Sequence, residues 1–155
     1  MGSSNWLEDK DLVNDFTTNI NQRTEELFRI PNMELDSDGC FVAPVVVLRE
    51  NVIFPKMITP VFVGQQKNLE SLRYGLENEQ TVITLIPKDP EKEFPVKKSD
   101  FYPVGLEIAV GRLVNLPEEH FSTLVQGRRR VILMDIIRRS PVLMARVYVS
   151  EVEAK

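Results

Sequence analysis

Cysteine and histidine are nearly missing from this chain, and long apolar runs are missing altogether. Cys40 is the only cysteine and His120 the only histidine among 155 residues. A single cysteine excludes a disulfide within the chain and favours a reducing compartment, so we expect a cytoplasmic location. A single histidine beside Glu118 and Glu119 is typical of a surface turn and predicts no metal site. No apolar run approaches the roughly 20 residues of a membrane span, so no membrane association is expected.

The motifs of nucleotide hydrolysis and of nucleophilic catalysis are also missing. The sequence contains neither a Gly-x4-Gly-Lys-(Ser/Thr) phosphate loop nor a Gly-x-Ser-x-Gly elbow. A Ser–Lys dyad needs a lysine that is buried and uncharged, whereas Lys98 and Ser99 stand in a highly charged stretch. The segment 36–39 offers too few ligands for calcium and is interpreted as a turn. We therefore predict that this chain is not an enzyme and that it binds no cofactor and no metal.

The charge of the chain is slightly acidic, at −4 from 19 basic and 23 acidic residues. Such a balance is not that of a general nucleic-acid binder. The main counter-argument is the arginine run 128–130, followed by a second pair at 138–139. On a strand, however, Arg128 and Arg130 would face away from Arg129, and no aromatic side chains for base stacking lie nearby. Nucleic acid is therefore not the expected partner, and an RNA-binding module remains the alternative hypothesis.

Two apolar runs around three prolines form the most informative stretch, between residues 44 and 64. Val45 to Leu48 is a continuous apolar run, which is typical of a strand buried on both faces. Met57 to Val63 is a second strand that contains Pro60. Because proline cannot donate a ladder hydrogen bond, this strand is predicted to lie at a sheet edge or to carry a bulge. A surface helix is predicted from about Gln65 to Glu77, with leucines on one side.

The rest of the chain predicts short strands and one long charged loop. The segment 104–111 alternates, which predicts a half-buried strand with Val104, Leu106, Ile108 and Val110 on its inner face. Gly127 is predicted to bend the chain between two strands. The loop 88–102 carries Phe94, Phe101 and Tyr102, which either anchor it or stay exposed. Short strands with one interposed helix favour a twisted barrel, a mainly β, α+β fold. Further strands are predicted over 81–86, 121–125, 131–137 and 142–149.

An amphipathic helix is predicted near the N-terminus, over about residues 6–30. Asn5 is a suitable N-cap residue, Glu8 stands where a capping box requires it, and Pro31 ends the helix. The apolar stripe of such a helix needs cover, either from its own domain or from a neighbouring subunit. We favour cover by its own domain. The predicted organisation is an N-terminal extension at 1–43 and a barrel domain at 44–155.

The stretch between residues 44 and 64 contains a spaced pattern of Pro44, Val45, Leu48, Arg49, Val52, Phe54, Pro55, Met57, Pro60, Phe62, Val63 and Gly64. Further motifs follow at Val104-Gly105, Leu116-Pro117 and the segment 125–130. Together they resemble the N-terminal domain of Lon, the ATP-dependent serine protease, over about two thirds of the chain. The sequence departs from the family at Gln126 and Arg128.

The resemblance implies a PUA-like pseudo-barrel of about six strands with one surface helix. It also implies a non-catalytic module that recognises substrates and helps to assemble the protease. The partners would be unfolded or misfolded proteins and the other subunits of a Lon hexamer. The parent protein would be an ATP-dependent serine endopeptidase, whose ATPase and Ser–Lys motifs belong to later domains and do not occur in this sequence.

A receptor for unfolded protein should present apolar surface and an unpaired strand edge. The segment from Phe54 to Phe62 satisfies both conditions, because Pro60 marks an edge and the run is apolar on both faces. For Met57 and Phe62, burial in the core is the favoured alternative. The candidate substrate-binding residues are Phe54, Pro55, Met57, Pro60 and Phe62, with Gln66 and Lys67 as a polar rim.

Overall fold

The structure, a computed structural model, describes residues 22–49 and 52–150. These residues form two α-helices and seven β-strands, which confirms the mainly β, α+β fold. Neither helix of the described part is long and apolar enough to cross a membrane. The helices are α1 (residues 22–28) and α2 (Gln66–Glu77). The strands are β1 (Cys40–Val47), β2 (Ile58–Val63), β3 (Val82–Leu85), β4 (Val104–Val110), β5 (Val114–Leu116), β6 (His120–Arg138) and β7 (Met144–Val149).

Five of the strands close into a ring, which makes the fold a small barrel. Hydrogen-bonded neighbours follow the order β6, β4, β3, β1 and β7, and β7 pairs again with β6. β1 and β3 are parallel, whereas the other pairs of the ring are antiparallel. Parallel neighbours need a long crossover. The chain between β1 and β3 provides it and contains both β2 and α2.

β6 belongs to the ring of the barrel and also pairs with β2, which lies outside the ring. Its 19 residues pair first with β2 and β5, then with β4, and finally with β7. One strand runs through Gly127, so the prediction of two separate strands over 121–125 and 131–137 is wrong. A register shift against β4 leaves one extra residue in β6 between Gly127 and Arg130. Such a bulge turns the strand locally without ending it.

Two of the apolar clusters in the described core share β1. Val45 and Val47 belong to one cluster and Val46 and Leu48 to the other, which confirms that this run is buried on both faces. The first cluster includes residues of β3, β6 and β7. The second includes Leu69 and Leu72 of α2 and residues of β2, β4 and β6. The predicted surface helix is thus present and covers the second cluster.

β4 is more deeply buried than its alternating sequence predicts. Leu106, Ile108 and Val110 are buried as expected, but Glu107 and Ala109 on the opposite face are also inaccessible. The prediction of a half-buried strand is therefore wrong. The face is covered because α1 places Leu27 against Ala109, and the segment after α1 reaches Glu107. Val104, predicted to point inward, is instead exposed.

The described part of the N-terminal helix packs on its own barrel. Leu27 is buried against Ala109 and Leu124, with Ile30 beside them. Residues before 22 lie outside the described part of the chain, so the longer helix over 6–30 and its possible contact with another subunit remain predictions. The division of the chain at residue 44 also remains a prediction.

Candidate functional site

β2 lies at the edge of the sheet and presents apolar side chains outward. Among the described strands it pairs with β6 alone, which confirms the edge position predicted from Pro60. Val61 and Val63 are buried, whereas Pro60 and Phe62 beside them are exposed. Phe62 is 68% exposed. Its predicted burial is wrong, because the alternation along β2 places the two valines in the core instead.

The loop before β2 adds further exposed apolar side chains. Phe54 is 57% and Met57 38% exposed, so the predicted burial of Met57 is also wrong, while Pro55 is half-buried. Two backbone hydrogen bonds hold this loop on β6: the N–H of Lys56 donates to the carbonyl of Gly127 (2.8 Å), and the N–H of Gly127 donates to the carbonyl of Met57 (2.9 Å). We call Phe54, Met57, Ile58, Pro60 and Phe62 the β2 patch.

Gln66 and Lys67, predicted as a polar rim, line a separate depression at the start of α2. This depression, the α2 cleft, has a volume of about 340 Å³. Its polar side is formed by Arg49, Gln65, Gln66, Lys67, Asn68 and Glu93. Its apolar side is formed by Val45, Val47, Phe94, Pro95, Val96 and Leu143. The cleft thus lies between β1, α2 and the loop 88–102.

A shallower cavity connects Phe62 with the α2 cleft. It has a volume of about 230 Å³ and is lined by Phe62 together with Arg49, Gln65 and Asn68, which also line the cleft. Phe54 and Pro55 face a different cavity of about 160 Å³ beside Val104. The structure therefore brings Phe62, Gln66 and Lys67 into one neighbourhood and leaves Phe54 and Pro55 at the other end of β2.

Hydrogen bonds to the backbone fix the walls of the α2 cleft. The Asn68 side chain donates to the carbonyl of Val47 (2.9 Å) and accepts from its N–H (2.8 Å), which ties α2 to β1. Arg49 donates to the carbonyls of Pro90 (3.1 Å), Lys92 (2.6 Å) and Glu93 (3.1 Å), which ties the loop to the end of β1. The cleft is therefore formed before any ligand arrives.

The loop 88–102 is held by Phe101 and by Asp100. Phe101 is buried in the first core cluster, whereas Phe94 and Tyr102 are exposed. Phe101 therefore anchors the loop, whereas Phe94 and Tyr102 remain exposed. The carboxylate of Asp100 accepts hydrogen bonds from the Lys92 ammonium (2.8 Å) and from the N–H groups of Lys97 and Val96 (3.0 and 3.1 Å).

These bonds predict an acid-sensitive loop. The hydrogen bond from Lys92, followed by that from Lys97, lowers the pKa of Asp100 to about 2. An unfolded aspartate titrates near pH 3.9, so this stabilisation is complete above that pH and is lost as the pH falls through about 2. We expect the amide NMR shifts of Val96 and Lys97 to titrate with a midpoint near 2. A midpoint near 4 would contradict the role given to Lys92, as would an unchanged midpoint in Lys92→Gln.

The central arginines of β6 bind the N-terminal segment of the same chain. Arg128 donates to the carbonyl of Leu27 (2.7 Å) and to Asn32 (2.9 Å). Arg129 donates to the carbonyl of Met33 (2.8 Å) and to the buried carboxylate of Glu107 (2.7 Å). The bulge explains why neighbouring arginines reach one segment despite the alternation of a strand. The RNA-binding alternative depended on these arginines as free surface charges, and two of them are engaged inside the domain.

Comparison with known families decides what this domain is. Residues 42–155 match the model of the ATP-dependent protease La (LON) substrate-binding domain. The chain belongs to this Lon domain family. Lon protease of Anaeromyxobacter dehalogenans is 32% identical over 106 residues, which are 68% of this chain and 12% of that protein. Lon protease of Aquifex aeolicus is 30% identical over 126 residues, 81% of this chain and 15% of that protein.

Solved structures of Lon N-terminal domains share the fold. A Lon N-terminal domain protein from Xanthomonas campestris superposes with a TM-score of 0.55 at 14% identity, over 72% of this chain and 60% of that one. The N-terminal domain of Lon from Mycobacterium avium complex gives 0.51 at 18% identity, over 74% and 58%. At these identities the likeness supports the architecture of the Lon domain and says nothing of its ligands.

Sequence analysis of this Lon domain missed the loop side of the α2 cleft. Gln66 and Lys67 were found, but Glu93, Phe94 and Val96 come from a segment far away along the chain. Two signals pointed to them: a long loop in a compact domain is often functional, and Arg49, which binds that loop, lies in the motif that resembles Lon.

Proposed function

We propose that this chain is the non-catalytic recognition module of a Lon-type ATP-dependent protease and binds unfolded or misfolded polypeptides. The observation that carries the proposal is the β2 patch, where an edge strand presents exposed apolar side chains. An unfolded chain offers apolar side chains and unpaired backbone groups, and an edge strand with apolar surface provides partners for both. The matched family, described as a substrate-binding domain, supports the same function.

The proposal includes assembly with further Lon subunits into a hexamer in the cytoplasm. This chain spans 12% and 15% of the length of the two Lon proteases compared above. In such a protein, ATP hydrolysis and peptide cleavage would be carried out by other domains. The present domain would contribute substrate capture.

The test of substrate capture is a double substitution in the β2 patch. We expect Phe54→Ser combined with Phe62→Ser to weaken binding of an unfolded, apolar peptide by about tenfold or more, since exposed aromatic anchors dominate such interfaces. The peptide should carry an acetylated N-terminus and an amidated C-terminus, so that only its internal part is recognised. Fluorescence anisotropy of the labelled peptide measures the affinity.

The matched control is Ile137→Ser on β6. Ile137 is also a large apolar side chain, 52% exposed, but it lies outside the β2 patch. We expect this variant to bind the peptide like the unsubstituted chain. If the double variant keeps its circular dichroism spectrum and its affinity, the β2 patch does not bind substrates.

A further inference from the structure

The α2 cleft combines an apolar interior with a positively charged mouth. We propose that it binds the C-terminal residue of a polypeptide, with an apolar side chain inside and the terminal carboxylate at Arg49 and Lys67. The inference rests on the proposed function and gives it a second contact, beside the β2 patch. It makes the preferred substrate an unfolded chain whose free end is apolar.

The interior of the cleft suits one apolar side chain. Val45 and Val47 of β1, Leu143 and Pro95 supply buried apolar surface, and Val96 is partly buried beside them. A volume of about 340 Å³ lies at the small end of the range for ligand pockets. The cleft therefore accepts the side chain of one residue at the end of an extended chain. Phe94, which is 60% exposed at the mouth, can contact the residue before the last.

Neither cation at the mouth of the cleft, Arg49 or Lys67, forms an ion pair within the described part of the chain. Arg49 donates only to neutral oxygens there, namely the Gln65 side chain (2.8 Å) and three backbone carbonyls. Lys67 is exposed and takes part in none of the ion pairs of the described residues. Glu93 supplies the single carboxylate of the cleft lining, against these two cations. A ligand carboxylate would complete the charge balance.

The orientation of α2 adds to this preference for an anion. Gln66, Lys67 and Asn68 form the first turn of a 12-residue helix, and its N-cap residue, Gln65, makes no side-chain hydrogen bond to the helix. The first turn contains no acidic residue. The positive end of the helix dipole and the unpaired N–H groups therefore remain available beside the cationic side chains.

An internal segment of a polypeptide would use only half of this site. It could place an apolar side chain in the cleft, but its neutral backbone would leave Arg49 and Lys67 uncompensated. The C-terminal residue of a polypeptide supplies both an apolar side chain and a carboxylate. The shallow cavity at Phe62 adjoins the cleft, so the residues before the end can continue toward the β2 patch.

The test compares two peptides that differ only at the last group. Both end in leucine, one with a free carboxylate and the other with an amide, and both are titrated by fluorescence anisotropy against the full chain. We expect the free carboxylate to bind about tenfold more tightly, because it gains two cations and a helix terminus. We expect Lys67→Gln to remove most of this difference, whereas Lys88→Gln, at an exposed lysine of the loop outside the cleft, should retain it.

A third peptide, with serine in place of the terminal leucine and a free carboxylate, tests the apolar interior and should bind more weakly than the leucine peptide. Equal affinity of the carboxylate and the amide would overturn the inference, and so would a difference that Lys67→Gln leaves intact. These results are distinct from failure of the proposed function, in which the amidated peptide would bind Phe54→Ser/Phe62→Ser and the unsubstituted chain equally well.

Discussion

Replacing Arg129 with alanine is expected to destabilise the domain by about 3 kcal/mol, since it leaves a buried carboxylate without its charged partner. Glu107 is 0% exposed, and Arg129 Nε lies 2.7 Å from its Oε1 atom. The remaining partners of this carboxylate are the Thr81 hydroxyl (2.6 Å) and the N–H of Met33 (2.9 Å). Both are neutral, and Arg128, whose charge also acts on Glu107, donates its hydrogen bonds to Gln126, Asn32 and Leu27 instead. The Arg129 side chain is 20% exposed, which places the expected loss at the lower end for buried pairs.

Urea unfolding followed by circular dichroism measures this loss. The matched control is Arg138→Ala, which removes an exposed arginine from the end of the same strand and should change the free energy of unfolding by less than about 0.5 kcal/mol. Adding Glu107→Gln to Arg129→Ala should restore part of the stability, because the buried group is then neutral. If Arg129→Ala costs no more than Arg138→Ala, the pair does not stabilise the fold.

The same substitution should release the N-terminal segment. Arg129 also donates to the carbonyl of Met33 (2.8 Å), so its loss removes a link between the segment and β6. Hydrogen exchange of residues 27–33 should therefore increase more than that of β1, where the Arg129 guanidinium lies over the ring of Phe41. This result would assign to the arginine run a structural role inside the Lon domain.

Local patterns in the sequence predicted most of the barrel. Three of these patterns depend only on residues close together in the sequence. They are the continuous apolar run 45–48, the leucine spacing in α2 and the proline in β2. The strand, the helix and the sheet edge that they indicate are all present. The exposed apolar side chains around β2 were only partly predicted. Phe54 and Pro60 are exposed as a binding surface requires, whereas Met57 and Phe62 were expected in the core and Ile58 was not singled out.

Contacts between distant segments could not be predicted in this way. Glu107 stands where an alternating strand exposes its side chain to water, and it is buried because Met33 lies over it, 74 residues earlier in the chain. The α2 cleft likewise depends on Arg49 binding a loop more than 40 residues later. The sequence around Glu107 does not indicate its contact with Met33, and the sequence around Arg49 does not indicate its contact with the loop 88–102. Burial of a charge and closure of a cleft both follow from the tertiary fold.

Gly127→Ala is expected to destabilise the domain by about 3 kcal/mol and to displace the start of the β2 patch. A methyl group at this position would overlap the carbonyl oxygen of Phe54 and would lie 2.9 Å from its carbonyl carbon. Backbone atoms cannot move aside as a flexible side chain can. The loop would have to leave β6, and the two hydrogen bonds that Gly127 makes with Lys56 and Met57 would be lost.

Gly64→Ala is the matched control, because it adds the same methyl group and changes the unfolded chain equally. Its new methyl would meet only the ring of His120, at 2.9 Å from Cδ2, and that exposed side chain can rotate away. We expect a change below about 1 kcal/mol. Binding of the acetylated and amidated peptide is then compared at a temperature where both variants are folded. Gly127→Ala should bind it more weakly than Gly64→Ala does, since Phe54 and Met57 no longer lie in line with β2. Loss of stability with unchanged binding would restrict the substrate contact to Phe62 and its neighbours.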